Sequence, residues 1–380
     1  MKKLWWKTLL RLLVEKRFCI ICVEMGNSVR KTLTQEEAKM QNGGKHLYGV
    51  MREGQQRDFG SIGVGDGQGR VYTIHYQGLA AIVSDTPMMA YDSVPRETLV
   101  RYLANHQFVI EQVMKSHAVI PIKFGTAVKD EEEVKQILAK GYQQFNAALE
   151  EMGDKIELEV VATWSDFDAI LREIGEEQRV RDLRREAAAR PPSEMEAAKI
   201  ELGKMVKSAL EERNANAASE IVDSLKGSAV EYCPHEVLDD SMIMNVAFLI
   251  PRDKEGEFDR EVNQVNERYQ DRVDFRCVGP LPPYSFSTVE VKRISFEEVN
   301  AARILLGLGE EATSDEIKES HRRLAHQFHP DQHPGDPEAQ KHFEKITKAY
   351  RLLMDYCQQE RCSFGEEEVQ NFMLIRVLEM

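Results

Sequence analysis

At 380 residues the chain is longer than one ordinary domain, so two or three folded units are expected. Its 64 acidic residues against 50 basic ones leave a net charge of -14, which argues against a general nucleic-acid binder, because neutralising phosphates needs a basic field. Six cysteines without dense spacing make no disulfide framework and fit a reducing cytoplasm.

Residues 1–44 read as a leader. The stretch MKKLWWKTLLRLLVEKRFCIICVEM is basic and partly apolar, but Lys7, Arg11, Glu15, Lys16 and Arg17 interrupt it before any run reaches the roughly 18 apolar residues of a membrane span. Its unbroken apolar part, Phe18 to Val23, is shorter than the about 7 to 15 residues of a signal-peptide core. The leader is either disordered or not native, with translation starting at Met25 or Met40, or it is a basic membrane-surface helix with Trp5, Leu9, Leu12 and Leu13 on its apolar side. Cys19 and Cys22 have redox-motif spacing but no strand–helix context, and read as incidental.

Residues 45–165 alternate strands and helices. KHLYGVM, VYTIHY and LAAIVS have strand character, with Gln77-Gly78 as a tight turn between the last two. The glycine-rich GSIGVGDGQGR invites a phosphate-loop reading, but it lacks a Lys-Ser/Thr ending and a following helix, so a mobile loop is expected. A helix is predicted from Arg96 to Ser116, then the short strand AVIPIKFG, a single helix from Glu131 to Met152, and the strand IELEVVATW. Residues 166–228 form a charged helical arm of two helices divided at Pro191-Pro192, the second restarted by a Ser193/Glu196 capping box. Residues 229–293 supply a second α+β unit in which SAVEYC, SMIMNVAFLI, a helix from Phe258 to Tyr269 and VDFRCVG succeed one another as in part of a ferredoxin-like unit. GPLPPYSF, 279–286, cannot be regular structure, and Tyr284 and Phe286 would plug a core edge.

The strings VIPIKFGTAV (119–128) and VGPLPPYSF (278–286), with LYGV near the start, resemble the GvpL/GvpF family of gas vesicle proteins over about residues 45 to 293. The resemblance implies two α+β domains joined by helices and a non-enzymatic role in gas vesicle assembly, with vesicle shell and assembly proteins as partners and no cofactor. The glycine loop, the leader and everything after Lys292 depart from it.

Beyond that point the residues are helical again. Ser295/Glu298 form a capping box for a helix from Phe296 to Leu306 that stops at Gly307, and Thr313/Glu316 open the next. There Ile317, His321, Leu324 and Phe328 share one face while Lys318 and Arg322 project from another. Pro330, Pro334 and Pro337 make a loop of LAHQFHPDQHPGDP, and a third helix carries Phe343, Ile346, Tyr350 and Leu353 as one stripe. An antiparallel helix pair with its loop exposed follows. His326, His329, Asp331 and His333 could be zinc donors, but helix and loop divide them, no cysteine lies nearby, and no metal is expected.

The helix–loop–helix around His329-Pro330-Asp331 closely resembles a J domain, as in DnaJ-type co-chaperones, over about Asn300 to Asp355. The resemblance implies docking on an ATP-hydrolysing DnaK-type chaperone through His329, Pro330 and Asp331, with Lys318, Arg322 and Arg323 supplying positive charge for an acidic patch. His321 stands where a core tyrosine is usual, Gln332 where a lysine is usual, and Ala302 and Arg303 where tyrosines are. The fold class expected is α+β: two ferredoxin-like α+β domains at 45–165 and 229–293 linked by a helical arm, then a small all-α J domain at 294–358 and a tail at 359–380 whose VQNFMLIRVLEM reads as an apolar helix. The function expected is a cytoplasmic or vesicle-associated adaptor with no enzymatic site, no nucleic acid and no membrane partner. The alternative is a minor structural vesicle component with an inactive J-like appendage.

Overall fold

The computed structural model describes residues 44–64, 69–87, 94–333, 336–370 and 372–378, so the leader up to residue 43 and the tip of the glycine-rich loop lie outside the described residues. The described residues form two compact units, one made almost entirely of residues 44–288 and the other of residues 289–376. No helix among them is long and apolar enough to cross a membrane.

The first unit contains two sheets. Strands β1 (Gly44–Arg52), β2 (Asp58–Gly63), β3 (Gly69–Tyr76), β4 (Leu79–Thr86) and β5 (Val119–Pro121) lie in the order β2-β3-β4-β1-β5, and β6 (Ala127–Val128) also pairs with β1. Strands β1, β2 and β3 all run antiparallel to their neighbours. Central β1 buries Leu47, Tyr48, Val50 and Met51 completely. Helix α1 (Arg96–Met114) turns Val109, Ile110 and Val113 onto Tyr48, Met51 and Ile82. Gln77 and Gly78 both have positive φ, 48° and 84°, as a two-residue turn matching strand twist requires. Two expectations change here. Asp58–Gly63 is strand and not loop, because its backbone pairs with β3 although glycine and serine give it no β pattern. The helix expected over Glu131–Met152 is two, α2 (Glu131–Lys140) and α3 (Tyr142–Met152), interrupted at Gly141. Among the described residues four strands precede the first helix, so this half does not follow the strand–helix–strand order of a ferredoxin-like unit.

The second sheet is antiparallel and ordered β10-β7-β9-β8, from β7 (Lys155–Trp164), β8 (Glu231–Pro234), β9 (Met242–Pro251) and β10 (Val273–Leu281). Between β7 and β8 run α4 (Phe167–Gly175), α5 (Gln178–Ala188) and the 31-residue α6 (Met195–Leu225), and α7 (Glu255–Tyr269) joins β9 to β10. The arm therefore holds three helices, not two. Its capping box does not form: residues 192–194 make a 3-10 turn, which draws Ser193 inside it, and Glu194 occupies the N-cap of α6 without a side-chain cap. Alternation along β7 divides its faces. Ile156, Leu158, Val160, Ala162 and Trp164 enter one core with Leu210, Ile221, Phe248 and Phe258, while Glu157 and Glu159, also buried, alternate with them.

Glu157 explains the proline-rich string. It accepts hydrogen bonds from Ser285 N at 2.7 Å and Ser285 Oγ at 2.9 Å, and His235 Nε2 lies 3.1 Å from the same hydroxyl. Phe286 is buried beside it. The peptide Gly279-Pro280 is cis. A Cβ on Gly279 would stand 2.9 Å from Glu157 O and 2.5 Å from a Leu158 methyl. Gly279→Ala should therefore destabilise the first unit by about 2 kcal/mol through overpacking, read as a lower midpoint in urea.

The second unit contains α8 (Phe296–Leu306), α9 (Ser314–Gln327) and α10 (Pro337–Tyr356). Its core joins Val299, Leu306, Ile317, Ile346 and Leu353. Both predicted capping boxes form, and Gly307 ends α8 at φ 70°. The tail departs from expectation. Arg361–Ser363 (β13) pairs with Glu311–Thr313 (β12), Glu366–Gln370 (α11) is a short helix, and Met373–Leu378 (β14) pairs with Thr288–Arg293 (β11). Within VQNFMLIRVLEM, Met373–Leu378 are thus strand and not helix, and Phe364, Val369 and Leu374 belong to the core. The turn back from Tyr356 to β13 also brings Cys357 and Cys362 together as a disulfide, with Cα atoms 5.4 Å apart, a pairing that the cysteine spacing does not point to. Cys233 and Cys277 are free.

Candidate functional site

The expected site lies where α9 ends. Thr313 Oγ1 accepts from Glu316 N while the Glu316 carboxylate accepts from Thr313 N, so the start of the helix is fixed. Ile317 is buried and Leu324 and Phe328 pack on the core. His321 stacks on Tyr350 with ring centroids 4.1 Å apart, and burial lowers its pKa. It occupies an aromatic core position, so the missing tyrosine is replaced in kind. Helix α10 restarts the chain after the loop: Asp336 accepts from Glu338 N and Ala339 N, with Pro337 in the first helical position. This cap was not singled out from the sequence, although Asp-Pro is its signal.

Between the helices the chain coils into turns, with Gln332 N and His333 N both donating to His329 O. The imidazoles are engaged separately. His333 Nε2 donates to Gln327 O at 2.9 Å, and Gln332 Nε2 lies 3.2 Å from His326 Nε2. Asp331 N donates to His329 Nδ1 at 3.2 Å, which leaves the proton of the neutral ring on Nε2. Phe343 meets the His329 ring edge-on at 5.5 Å. Asp331 is 89% exposed and His329 44%, so the loop offers a ring N–H donor and a carboxylate acceptor that are already oriented. Pro330 between them is exposed as well. Among the described residues, no three His, Cys, Asp or Glu side chains are placed to hold a metal ion.

The three basic residues divide. Lys318 is paired with Asp315 at 3.1 Å and keeps its side chain 44% exposed, and exposed Arg322 lies against its backbone, Nε to Lys318 O at 3.5 Å. Arg323 instead donates to Ser320 Oγ at 3.2 Å, and that hydroxyl donates to Leu306 O. Arg323 therefore helps fasten α9 to the end of α8, where a cation is favoured by the helix dipole. The sequence could not separate these roles, because all three look equally solvent-facing by spacing.

Comparison with known proteins follows the same division. Residues 44–288 match the family model described as gas vesicle synthesis protein GvpL/GvpF, and residues 304–362 match that of the DnaJ domain. Gas vesicle protein F of Streptomyces sp. (strain CB03234) is 28% identical over 63% of this chain and 98% of its own. The crystal structure of gas vesicle protein GvpF from Anabaena sp. PCC7120 is similar with a TM-score of 0.55 and 26% identity, covering 64% of this chain and 97% of that one. Chaperone protein DnaJ of Porphyromonas gingivalis is 47% identical over 51 residues, 13% of each chain. The chain belongs to the GvpL/GvpF family of gas vesicle synthesis proteins and carries a DnaJ domain in its C-terminal part.

Proposed function

We propose that the protein is a non-enzymatic assembly factor that binds gas vesicle components through residues 44–288 and recruits a DnaK-type chaperone ATPase through the second unit. The observation that carries this reading is the preoriented His329-Pro330-Asp331 loop on the same chain as a gas vesicle family body. A vesicle wall needs an apolar inner face, so its free subunits expose surface that aggregates unless attended. Delivering them to a chaperone from a protein that recognises the vesicle meets that need. Pro330 with the His329 and Asp331 side chains forms the contact, and Lys318 and Arg322 steer it electrostatically; Arg323 contributes chiefly by positioning α9. The protein works in the cytoplasm or on the vesicle surface. The unit built on β7 to β10 is read as ferredoxin-like, which its strand order β10-β7-β9-β8 supports.

A steady-state ATPase assay tests the proposal. The full chain added to a DnaK-type chaperone of the same cell should raise hydrolysis in a saturable way, and a truncation ending at residue 288 should not. The truncation should still retain shell protein in a pull-down. A flat ATPase response with a folded chain would favour the structural alternative, for which Gln332 and the absent tyrosines at Ala302 and Arg303 are the motivating departures.

A further inference from the structure

We propose that a cleft between α6 and the edge strand β8 is a docking site for a cationic, apolar-faced segment of a partner protein. The cleft has a volume of about 350 Å³. It exists because β8 has four residues and β9 ten: pairing stops at Pro234 opposite Val246, and the rest of β9 has no strand outside it among the described residues. The floor is Ile243, Met244 and Val246, while Ala218 and Val222 of α6 form one wall. Tyr232 and Val237 line the other side and stay 43% and 54% exposed, with Val230 beside them at 58%. Large apolar side chains left in water around an apolar floor mark an interaction surface.

Charge selects the occupant. Residues 214–251 contain Glu220, Asp223, Glu231, Glu236, Asp239 and Asp240 against Lys226 alone. Glu231, Glu236 and Asp240 are exposed and, among the described residues, enter no ion pair. Asp223 lines the cleft and already holds Lys226 at 2.6 Å. Asp223 in the lining, and exposed, unpaired Glu236 between the lining residues His235 and Val237, put negative charge beside the apolar residues. That fits a segment with Lys or Arg on one side and Leu- or Phe-like residues on the other. The walls are also held in place. Asn214 of α6 donates to Asp240 O at 3.3 Å and to Met242 O at 3.4 Å, and accepts from Trp164 Nε1 at 2.7 Å. His235 N donates to Asn245 O at 2.7 Å. A site built this way does not need to be ordered on binding. Only the identity of the partner as a vesicle component rests on the assembly reading above.

The test uses the full chain and a fluorescent synthetic helix of Lys and Leu in amphipathic order, with a Glu/Leu peptide of the same pattern as control. The Lys/Leu peptide should bind saturably and the Glu/Leu peptide should not. Val237→Glu is the deciding variant, since it removes apolar surface while adding negative charge at an exposed position. Docking in the cleft predicts about tenfold weaker binding, as does Tyr232→Ala; attraction to a diffuse negative field predicts tighter binding and overturns the proposal. Glu236→Lys with Asp240→Lys, at exposed sites away from the floor, should weaken binding similarly, and unchanged affinity would overturn the charge selection. Binding that appears only after residues 1–43 are deleted would assign the cleft to the chain's own basic N-terminal segment and overturn a separate partner. Shell-protein retention is scored on the same variants. Retention without peptide binding removes this site and leaves the assembly reading intact, while peptide binding without retention does the reverse.

Discussion

His329→Gln should lower stimulation of a DnaK-type ATPase at least tenfold while leaving helicity and thermal unfolding unchanged. The ring is held from two sides, by Asp331 N on Nδ1 and by the edge of Phe343, so its remaining N–H is presented without an entropy cost at docking. Glutamine keeps a polar head but neither the ring contact with Phe343 nor the fixed donor. Asp331→Asn removes the charge of an exposed carboxylate and should have a comparable effect. Neither side chain belongs to the core of the second unit, which is why stability should not follow activity. Arg322→Glu should weaken the association mainly at low salt, since exposed charges are screened over about 10 Å at 0.1 M. Arg323→Glu should instead lower the melting temperature, through lost attachment to the end of α8. Full stimulation by the His329→Gln variant would show that the loop is not the contact. His321 is the control in the opposite direction: stacked on Tyr350, it should act through stability alone.

Acidification from pH 7 to pH 5 should remove about 4 kcal/mol from the stability of the first unit, at 1.36 kcal/mol per pH unit below the unfolded pKa for each of two groups. The cause is the pair His46 and His106, both buried. Ile122 O can only accept, so His106 Nε2 carries the proton that reaches it at 3.1 Å; His106 Nδ1 then accepts from His46 Nε2 at 2.9 Å. Burial disfavours the charged form of both rings and keeps them neutral in the fold. Burial lowers the pKa of His106 from 6.5 to about 3, and burial followed by the neighbouring His106 pushes His46 well below its ordinary value. A lowered histidine pKa means that the unfolded chain binds more protons, so stability is complete above about pH 6.5 and is lost as pH falls toward 3. Carboxylates with lowered pKa, such as Glu53 at about 2, lose their contribution only at lower pH, so the two effects separate. Urea titrations at half-unit steps measure the slope, and His106→Gln should reduce it between pH 6.5 and 5. An unchanged midpoint over that range would contradict the neutral pair.

Legibility in the sequence tracks how local the determining physics is. The start and stop of α8 are readable because Ser295, Glu298 and Gly307 act within one turn. The β3–β4 hairpin is readable because its turn and alternation coincide. Strand β2 is not, since Gly60, Ser61 and Gly63 are strand only by virtue of pairing with β3. Glu157 is hidden for a related reason: inside IELEVVATW it reads as the exposed member of an alternation, and only the returning Ser285 shows that it is buried. At the His329-Pro330-Asp331 loop, residue types and spacing indicate an exposed surface, but the separate work of Arg323 depends on where α8 ends. The Cys357–Cys362 bridge depends on a strand pairing that the charged, short β12 and β13 do not announce.

The pairing of β11 with β14 makes the second unit a closed circuit in which the strand that enters it lies beside the strand that leaves it. A chain with neighbouring ends is a natural cassette: it can be cut elsewhere and rejoined there, so a circular permutant opened between residues 333 and 336 should retain the helical core. The same closure means that a probe fused after Leu378 reports from the unit's point of entry, not from its far side. A tension applied between Thr288 and Leu378 would load the β11–β14 pair before any helix. The helices that present the loop are thereby insulated from pulling on the unit's two ends.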